Sequence, residues 1–386
     1  MALSATVLAS DTTIRNSGFN GMLSTLSELR ERQIDAVVEA RTIRANDGRI
    51  ELPDLPTGPV GTPFGARHLS GMPLLPTSVF LSGIASGLDI PVKYLRRMHR
   101  YAPDLFDANV NYWLQDGEAQ LLIRAYSGDQ AGVARAFLSN SYRIIDNYDV
   151  LVHALAAFGD AGVTPTIERC DLTSERMYVS LTVPGVTVEA PTLLRDYRAP
   201  RGGSGNDLPV VAAGLKITNS DVGQGGFIIT PWAKVLVCSN GMTFTAYASR
   251  RNHRGHRMEE GLVLNDARVV KAHLNLIGEE VRAAVKEYLH TDFLSARVTE
   301  LEELAGTRLP AAADTIRLIT TQADYSKELA EAVVQRFIEG GQVTAGGYLN
   351  ALTSLAQELP DAATAHAIEA DAPGLMAQAA RYALTA

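Results

Sequence analysis

The sequence predicts an α+β fold in which hairpins form a central antiparallel sheet, helices pack against that sheet, and the C-terminal region is helical. Residues 208–257 contain three strand-like runs, joined by turns at 219–226 and at Asn240–Gly241. After Arg257 the apolar residues recur mainly at helical spacing. We therefore expect three regions: an N-terminal helix, hairpin and loop (1–75), an α+β core (76–262) and a helical C-terminal region (263–386).

Composition narrows the possible functions. The chain has 386 residues, a net charge of -8 and 46% hydrophobic residues, as a globular protein does. No segment is apolar enough to span a bilayer, and the N-terminus lacks the basic region of a signal peptide. Cys170 and Cys238 are too few for a disulfide scaffold, so we expect buried reduced thiols and a cytoplasmic protein.

The first 116 residues predict short elements. A helix is expected near 22–33, and residues 34–55 read as a hairpin that turns at Asn46–Gly48. A loop rich in Pro and Gly follows at 52–76, and two helices are predicted before residue 116, the second beginning at Pro91. That second helix carries a basic face, because its cations recur at i, i+3, i+4 and i+7: Lys93, Arg96, Arg97 and Arg100.

Residues 118–208 predict four strands, a helix and a loop. Asp146 or Asn147 can cap the helix that ends near Gly162, on which His153 is expected to pack in the core. Residues 194–208 contain three glycines and are expected to form a mobile loop. Its arginines could contact nucleic acid or simply face solvent: Arg195, Arg198 and Arg201.

The strongest functional pattern is a basic cluster that follows the third strand of the central stretch. Arginine suits phosphate oxygens and stacks on bases, and Phe244 and Tyr247 just upstream could stack on unpaired bases. The alternative is ion pairing with the acidic C-terminal helices or with a neighbouring subunit. The cluster comprises Arg250, Arg251, His253, Arg254, His256 and Arg257.

Other chemistries find less support in the sequence. GxGxxG, P-loop, HExxH and GxSxG motifs are absent, and the Gly-rich run 223–226 joins two strands, where a hairpin turn fits better than a phosphate cradle. His253 and His256 with Cys238 give only three zinc ligands where a structural site needs four. A magnesium nuclease would require convergence of four carboxylates: Asp146, Asp149, Glu168 and Asp171.

Three runs of the chain, 135–151, 214–242 and 347–357, resemble the uncharacterised phage/plasmid-like proteins of bacteria and their viruses. The matching positions are Tyr142, Arg143, Ile145, Asp146, Asn147, Asn219, Ser220, Gly223, Cys238, Asn240 and Gly241. The resemblance extends in order over most of residues 30–360. It implies a phage or mobile-element origin, a cytoplasmic location and no cofactor. In outline, the predicted fold is also similar to that of single-strand-annealing recombination proteins.

These observations favour a binding protein over an enzyme. The leading hypothesis is an oligomeric protein that binds single-stranded nucleic acid during recombination or replication, with the strand lying along residues 250–257. The basic helix face and the loop arginines would assist. The alternative is a structural or regulatory protein of phage–host biology that binds another protein. The metal-dependent nuclease is the third hypothesis.

Overall fold

The computed structural model describes residues 13–53, 72–128, 130–238, 240–244, 247–251, 261–262 and 267–385. Its helices are α1 (Phe19–Glu31), α2 (Ser78–Gly87), α3 (Val92–Tyr101), α4 (Pro103–Leu114), α5 (Asn147–Asp160), α6 (Ala267–Tyr288), α7 (Thr291–Ala305), α8 (Ala312–Gln322), α9 (Lys327–Gly340), α10 (Ala345–Glu358) and α11 (Ala362–Thr385). The strands are β1 (Ile14–Ser17), β2 (Gln33–Glu39), β3 (Arg44–Asn46), β4 (Arg49–Glu51), β5 (Leu74–Pro76), β6 (Gln120–Tyr126), β7 (Gly132–Ser139), β8 (Thr166–Leu172), β9 (Met177–Glu189), β10 (Val210–Asn219), β11 (Phe227–Val235), β12 (Gly241–Thr243), β13 (Ser249–Arg251) and β14 (Gly261–Leu262).

The predicted α+β class is confirmed, with two sheets where one central sheet was expected. Sheet I is antiparallel in the order β1-β8-β9-β10-β11-β12, and β13 also pairs with β11. Sheet II has the order β14-β2-β6-β7-β5-β4-β3, and its β5–β7 pair is parallel. The C-terminal region is helical from α6 to α11, as the sequence predicted.

Sheet I has an apolar face and a polar face because side chains alternate along its strands. Leu215 lies opposite Leu181, and Ile217 lies opposite both Val179 and Ile229; all five are buried in the main hydrophobic core. Helix α6 joins that core through buried apolar residues at helical spacing, namely Leu274, Ile277, Val281 and Val285. In β10, Lys216 lies between Leu215 and Ile217, so its side chain points to the opposite face of the sheet, which is polar.

Helices α2, α3 and α4 pack on sheet II and form a second hydrophobic cluster. Phe80, Leu95 and Phe106 from the three helices are fully buried against apolar side chains of the strands. Helix α2 begins where the side chain of Thr77 accepts a hydrogen bond from the backbone N–H of Phe80 at 3.2 Å. Helix α4 begins at Pro103, directly after α3 ends, so the sequence placed this helical region correctly.

The hairpin predicted for residues 34–55 is shorter than expected. Asp47 and Gly48 form its turn with positive φ angles of 51° and 69°, as the Asp-Gly pattern predicted. The turn joins β3 to β4, however, whereas β2 leaves the hairpin and pairs along its length with β6. The sequence pattern could not show this, because β6 follows β2 by about eighty residues.

Two local expectations were wrong. Residues 194–208 do not form a free loop, since Tyr197 is buried and its carbonyl accepts a hydrogen bond from the N–H of Gly205 at 2.8 Å. Asp146 stands at the start of α5, yet its carboxylate makes no capping hydrogen bond. That carboxylate instead pairs with the guanidinium of Arg124 at 2.6 Å. Among the described helices, none is long and apolar enough to cross a membrane.

Candidate nucleic-acid interface

Helix α3 presents the basic face that its spacing predicted. Four of its ten residues are Lys or Arg and none is acidic. Leu95 and Met98 are buried against α2 and α4, so Lys93, Arg97 and Arg100 point to solvent. Arg96 differs from these three, because its guanidinium donates to the hydroxyl oxygen of Ser82 at 2.8 Å.

Exposed aromatic side chains also occur on α3 and α4. They are Tyr94 (53% exposed), Tyr101 (71%), Tyr112 (60%) and Trp113 (55%). The guanidinium of Arg100 lies 5.2 Å from the centre of the Tyr101 ring, and the rings of Tyr112 and Trp113 meet edge to face at 5.1 Å. Our sequence reasoning missed this group. The i, i+7 spacing of Tyr94 and Tyr101 was the available pattern.

The hairpin β3–β4 holds this helical pair in place. His99 Nε2 lies 2.9 Å from the carbonyl oxygen of Gly48, and the His99 ring meets Phe106 edge to face. The side-chain amide of Asn111 accepts from the N–H of Ala45 and donates to its carbonyl, both at 2.8 Å. The exposed cations and rings are therefore carried on a fixed support.

The loop arginines lie elsewhere in the fold. Arg195, Arg198 and Arg201 are exposed as expected. Their loop packs against the end of α9, where the N–H of Arg198 donates to the carbonyl of Gly340 at 3.0 Å. Helix α3, by contrast, packs on α2 and α4 over sheet II. The structure thus does not gather these two predicted sets of cations into one helix-lined surface.

Only the beginning of the predicted basic cluster is described. Arg250 and Arg251 belong to β13, whose backbone pairs with β11 at Ile228 and Phe227. The remaining residues lie outside the described part of the chain, and they are His253, Arg254, His256 and Arg257. The structure therefore bears on the start of this cluster alone.

The upstream rings proposed for stacking are already engaged. Phe244 is buried in the core, so it is not free to stack on a base. Tyr247 is 38% exposed, but the guanidinium of Arg297 lies 4.6 Å above its ring. The exposed rings of α3 and α4 are better placed for such a role.

A buried network of charges joins the two sheets, and we call it the Arg124 network. Arg124 donates to Asp35 Oδ1 at 2.7 Å, to Asp146 Oδ1 at 2.6 Å and to the carbonyl of Asp221 at 2.5 Å. Arg135 donates to Asp221 Oδ1 at 2.8 Å. Burial opposes the charge on Arg124, but the three carboxylates outweigh burial and raise its pKa well above the usual value. Burial likewise opposes the charge on Asp221, and the two arginines hold its pKa below the usual range.

A second network, the Arg169 network, lies on the polar face of sheet I beneath α11. Glu369 accepts from Arg169 Nη2 at 2.5 Å and from Lys216 Nζ at 2.6 Å. Asp171 Oδ2 accepts from Arg15 Nη1 at 2.8 Å and lies 2.7 Å from His366 Nε2. Burial opposes the charge of Glu369, yet Lys216 and Arg169 hold its pKa well below the usual value. Burial lowers the pKa of His366, and so does the nearby charge of Lys216.

A cavity of about 280 Å³ lies beside the Arg169 network. Residues from sheet I, the 194–208 loop and α10 line it, which brings together segments far apart in sequence. The lining residues are Asn16, Glu168, Arg169, Pro200, Arg201, Trp232, Cys238, Asn240, Ser354, Gln357 and Glu358. Cys238 and Cys170 are both free thiols, and burial raises the pKa of Cys238 to about 11 and that of Cys170 to about 12.

The four carboxylates of the nuclease hypothesis do not converge. Each lies against a different cation: Asp146 against Arg124, Asp149 against Arg30, Glu168 against Lys234 and Asp171 against Arg15. Within the described part of the chain, no group of three or more His, Cys, Asp or Glu side chains could hold a metal ion. The proposed His253–His256 ligands lie outside that part.

Comparison with known proteins identifies no relative of this chain. No family model matches the chain, and neither does any curated protein or solved structure. The resemblance to phage/plasmid-like proteins thus stays a prediction from sequence.

Proposed function

We propose that the chain binds single-stranded nucleic acid along the exposed surface of α3 and α4. The observation that carries this proposal is that these two helices expose both cations and aromatic rings, with Arg100 lying over the ring of Tyr101. We call it the α3–α4 surface, and its members are Lys93, Tyr94, Arg97, Arg100, Tyr101, Tyr112 and Trp113.

The chemistry of the surface matches an unpaired strand better than a duplex. Lys and Arg contact phosphates of either form, whereas an aromatic ring can stack only on a base that is free of its neighbours. Each such stack contributes about 1–3 kcal/mol whatever the base. Binding would therefore show little sequence preference and a strong dependence on salt.

Under this proposal the protein acts in recombination or replication of a phage or other mobile element, with strand annealing as the candidate reaction. Arg250, Arg251 and the basic residues that follow them in sequence would add phosphate contacts, and annealing would be carried out by an oligomer. The overall charge of -8 does not extend to α3, which carries no acidic residue, whereas α4 carries Asp104 and Asp107.

The two tryptophans provide a direct test. Trp113 is 55% exposed on the α3–α4 surface, whereas Trp232 is 3% exposed inside sheet I. Titration with a labelled single-stranded oligonucleotide should raise its anisotropy and quench the emission of Trp113. In Trp113→Phe the quenching should disappear. Trp113→Ala should weaken binding by the cost of one stack, about 1–3 kcal/mol.

The phosphate contacts call for charge-matched variants. Arg97→Gln/Arg100→Gln should weaken binding at least tenfold and lower the slope of log affinity against log salt by about 0.7 for each lost contact. Lys327→Gln/Arg381→Gln removes two exposed cations from the C-terminal helices and should leave both quantities unchanged. Equal losses in the two double variants would contradict a site on α3. Failure of the wild type to bind would instead favour a regulatory protein that binds another protein.

A further inference from the structure

Two residues that line the cavity beside the Arg169 network, Arg169 and Trp232, each contain a buried N–H group without a hydrogen-bond partner. The two residues are 6% and 3% exposed. Neither the Nε of Arg169 nor the Nε1 of Trp232 finds a hydrogen-bond acceptor among the described residues. The nearest carboxylate oxygen to Arg169 Nε, Asp171 Oδ2, lies at 3.6 Å, beyond a hydrogen bond. Leaving such buried donors unpaired is unfavourable.

The buried charges beside the cavity are also unbalanced. Three cations, Arg15, Arg169 and Lys216, face two carboxylates, Asp171 and Glu369. His366 does not contribute another negative charge. The carbonyls of Ala356 and Leu359 at the end of α10 accept from Arg15 and offset part of its charge. A buried network with an excess cation favours an anion nearby.

Arg201 adds a further cation at the edge of the cavity. It lies on the packed 194–208 loop, is exposed, and makes no hydrogen bond or ion pair with the described residues. Both carboxylates in the lining have cationic partners, because Glu168 pairs with Lys234 at 2.5 Å and Glu358 pairs with Arg336, which Glu339 also contacts. Two guanidinium groups, those of Arg169 and Arg201, therefore belong to the lining, and the cavity lies beside a network with an excess cation.

We propose that this cavity binds a small organic anion that carries a phosphate group. A phosphate has several acceptor oxygens arranged around one centre, which suits donors that arrive from different chain segments. The volume of about 280 Å³ is near the lower end of small-molecule sites and fits a phosphorylated sugar. This site is separate from the α3–α4 surface and does not depend on the proposed nucleic-acid binding.

Trp232 allows the site to be observed alone. In Trp113→Phe the only remaining tryptophan is Trp232, so a change in emission reports on the cavity. We would titrate this variant with ribose 5-phosphate, inorganic phosphate and ribose, and follow the melting temperature in parallel. The two phosphates should give saturable changes and raise the melting temperature, whereas ribose should do neither. Tighter binding of ribose 5-phosphate would identify a phosphate ester as the ligand, and equal binding would identify free phosphate.

Two variants in the 194–208 loop distinguish phosphate binding in the cavity from a general effect of positive charge. Arg201→Gln should weaken phosphate binding at least tenfold, because it removes the unpaired guanidinium from the lining. Arg195→Gln removes an exposed arginine from the same loop that does not line the cavity, and it should bind phosphate as the parent does. The proposal is wrong if no phosphate gives a saturable change, or if Arg201→Gln binds as tightly as Arg195→Gln.

Discussion

The two buried networks use the same residue types for different purposes. The Arg124 network joins strands of sheet II to the β10–β11 loop of sheet I and contains three carboxylates for two arginines. The Arg169 network has the opposite balance and borders a cavity. The Arg124 network also borders a cavity, of about 30 Å³, and its Arg135 Nη1 has no hydrogen-bond acceptor among the described residues. The two networks therefore differ in the sign of their excess charge and in the size of the neighbouring cavity, which is about 280 Å³ beside the Arg169 network.

The largest loss of stability is expected when the Arg124 network, which joins the two sheets, is disrupted. Arg124→Met leaves three carboxylates without their shared partner at the boundary of the sheets, and such a loss costs about 3–5 kcal/mol. Urea denaturation followed by circular dichroism would measure it. Arg41→Met is the control, because Arg41 pairs with Glu39 at the surface with its side chain 52% exposed and should cost less than about 1 kcal/mol. Similar costs in both variants would show that Arg124 does not hold the sheets together.

The sequence predicted local structure well and these networks poorly. Alternation and turn chemistry revealed β10, β11 and the Asp47–Gly48 turn, because each depends on residues close in the chain. The Arg169 network instead joins residues between positions 15 and 369, so only the folded topology shows it. A weak pattern did exist: Arg124 and Lys216 are single charges inside otherwise apolar strands. That pattern indicates a buried partner without identifying it.

The functional surface illustrates the same limit. The basic face of α3 was predictable from spacing within ten residues. The adjacent Trp113 was not, because its exposure depends on how α4 packs against α3 and the β3–β4 hairpin. Conversely, Phe244 had the right residue type for stacking, but its burial follows from contacts that are distant in sequence.

A smaller effect is expected from Lys216→Met, which removes the excess cation from the Arg169 network. Glu369 would keep Arg169 and the amide of Gln357, which donates to it at 2.9 Å, so we expect a cost near that of one charged hydrogen bond, about 1.5–3 kcal/mol. Because the charges would then balance, the stabilisation by ribose 5-phosphate should shrink. Arg135→Met, in the other network, should retain the full ligand-induced rise in melting temperature. If Lys216→Met retains it too, the charge excess does not attract the anion.

The smallest effect concerns pH and distinguishes the networks by their composition. Only the Arg169 network contains a histidine, His366, which faces Asp171, Glu369, Lys216 and Arg169. Its pKa is lowered in the folded protein, first by burial and then by Lys216. Below the unfolded pKa of about 6.5, the unfolded chain therefore binds a proton that the folded protein does not.

The contribution of His366 to the free energy of unfolding should consequently be constant above about pH 6.5. Below that pH the protein should lose stability as the pH falls, by up to about 1.4 kcal/mol per pH unit. The lowered pKa values of Glu369, Asp171 and Asp221 act in a separate window, since those carboxylates lose stabilisation only as the pH falls below about 4.5. Urea denaturation at several pH values between 7.5 and 5 would give the slope. His366→Gln should flatten it, because it removes the histidine whose pKa is lowered in the folded protein. An unchanged slope in His366→Gln would mean that His366 binds protons equally in both forms, and that the Arg169 network tolerates further positive charge without a ligand.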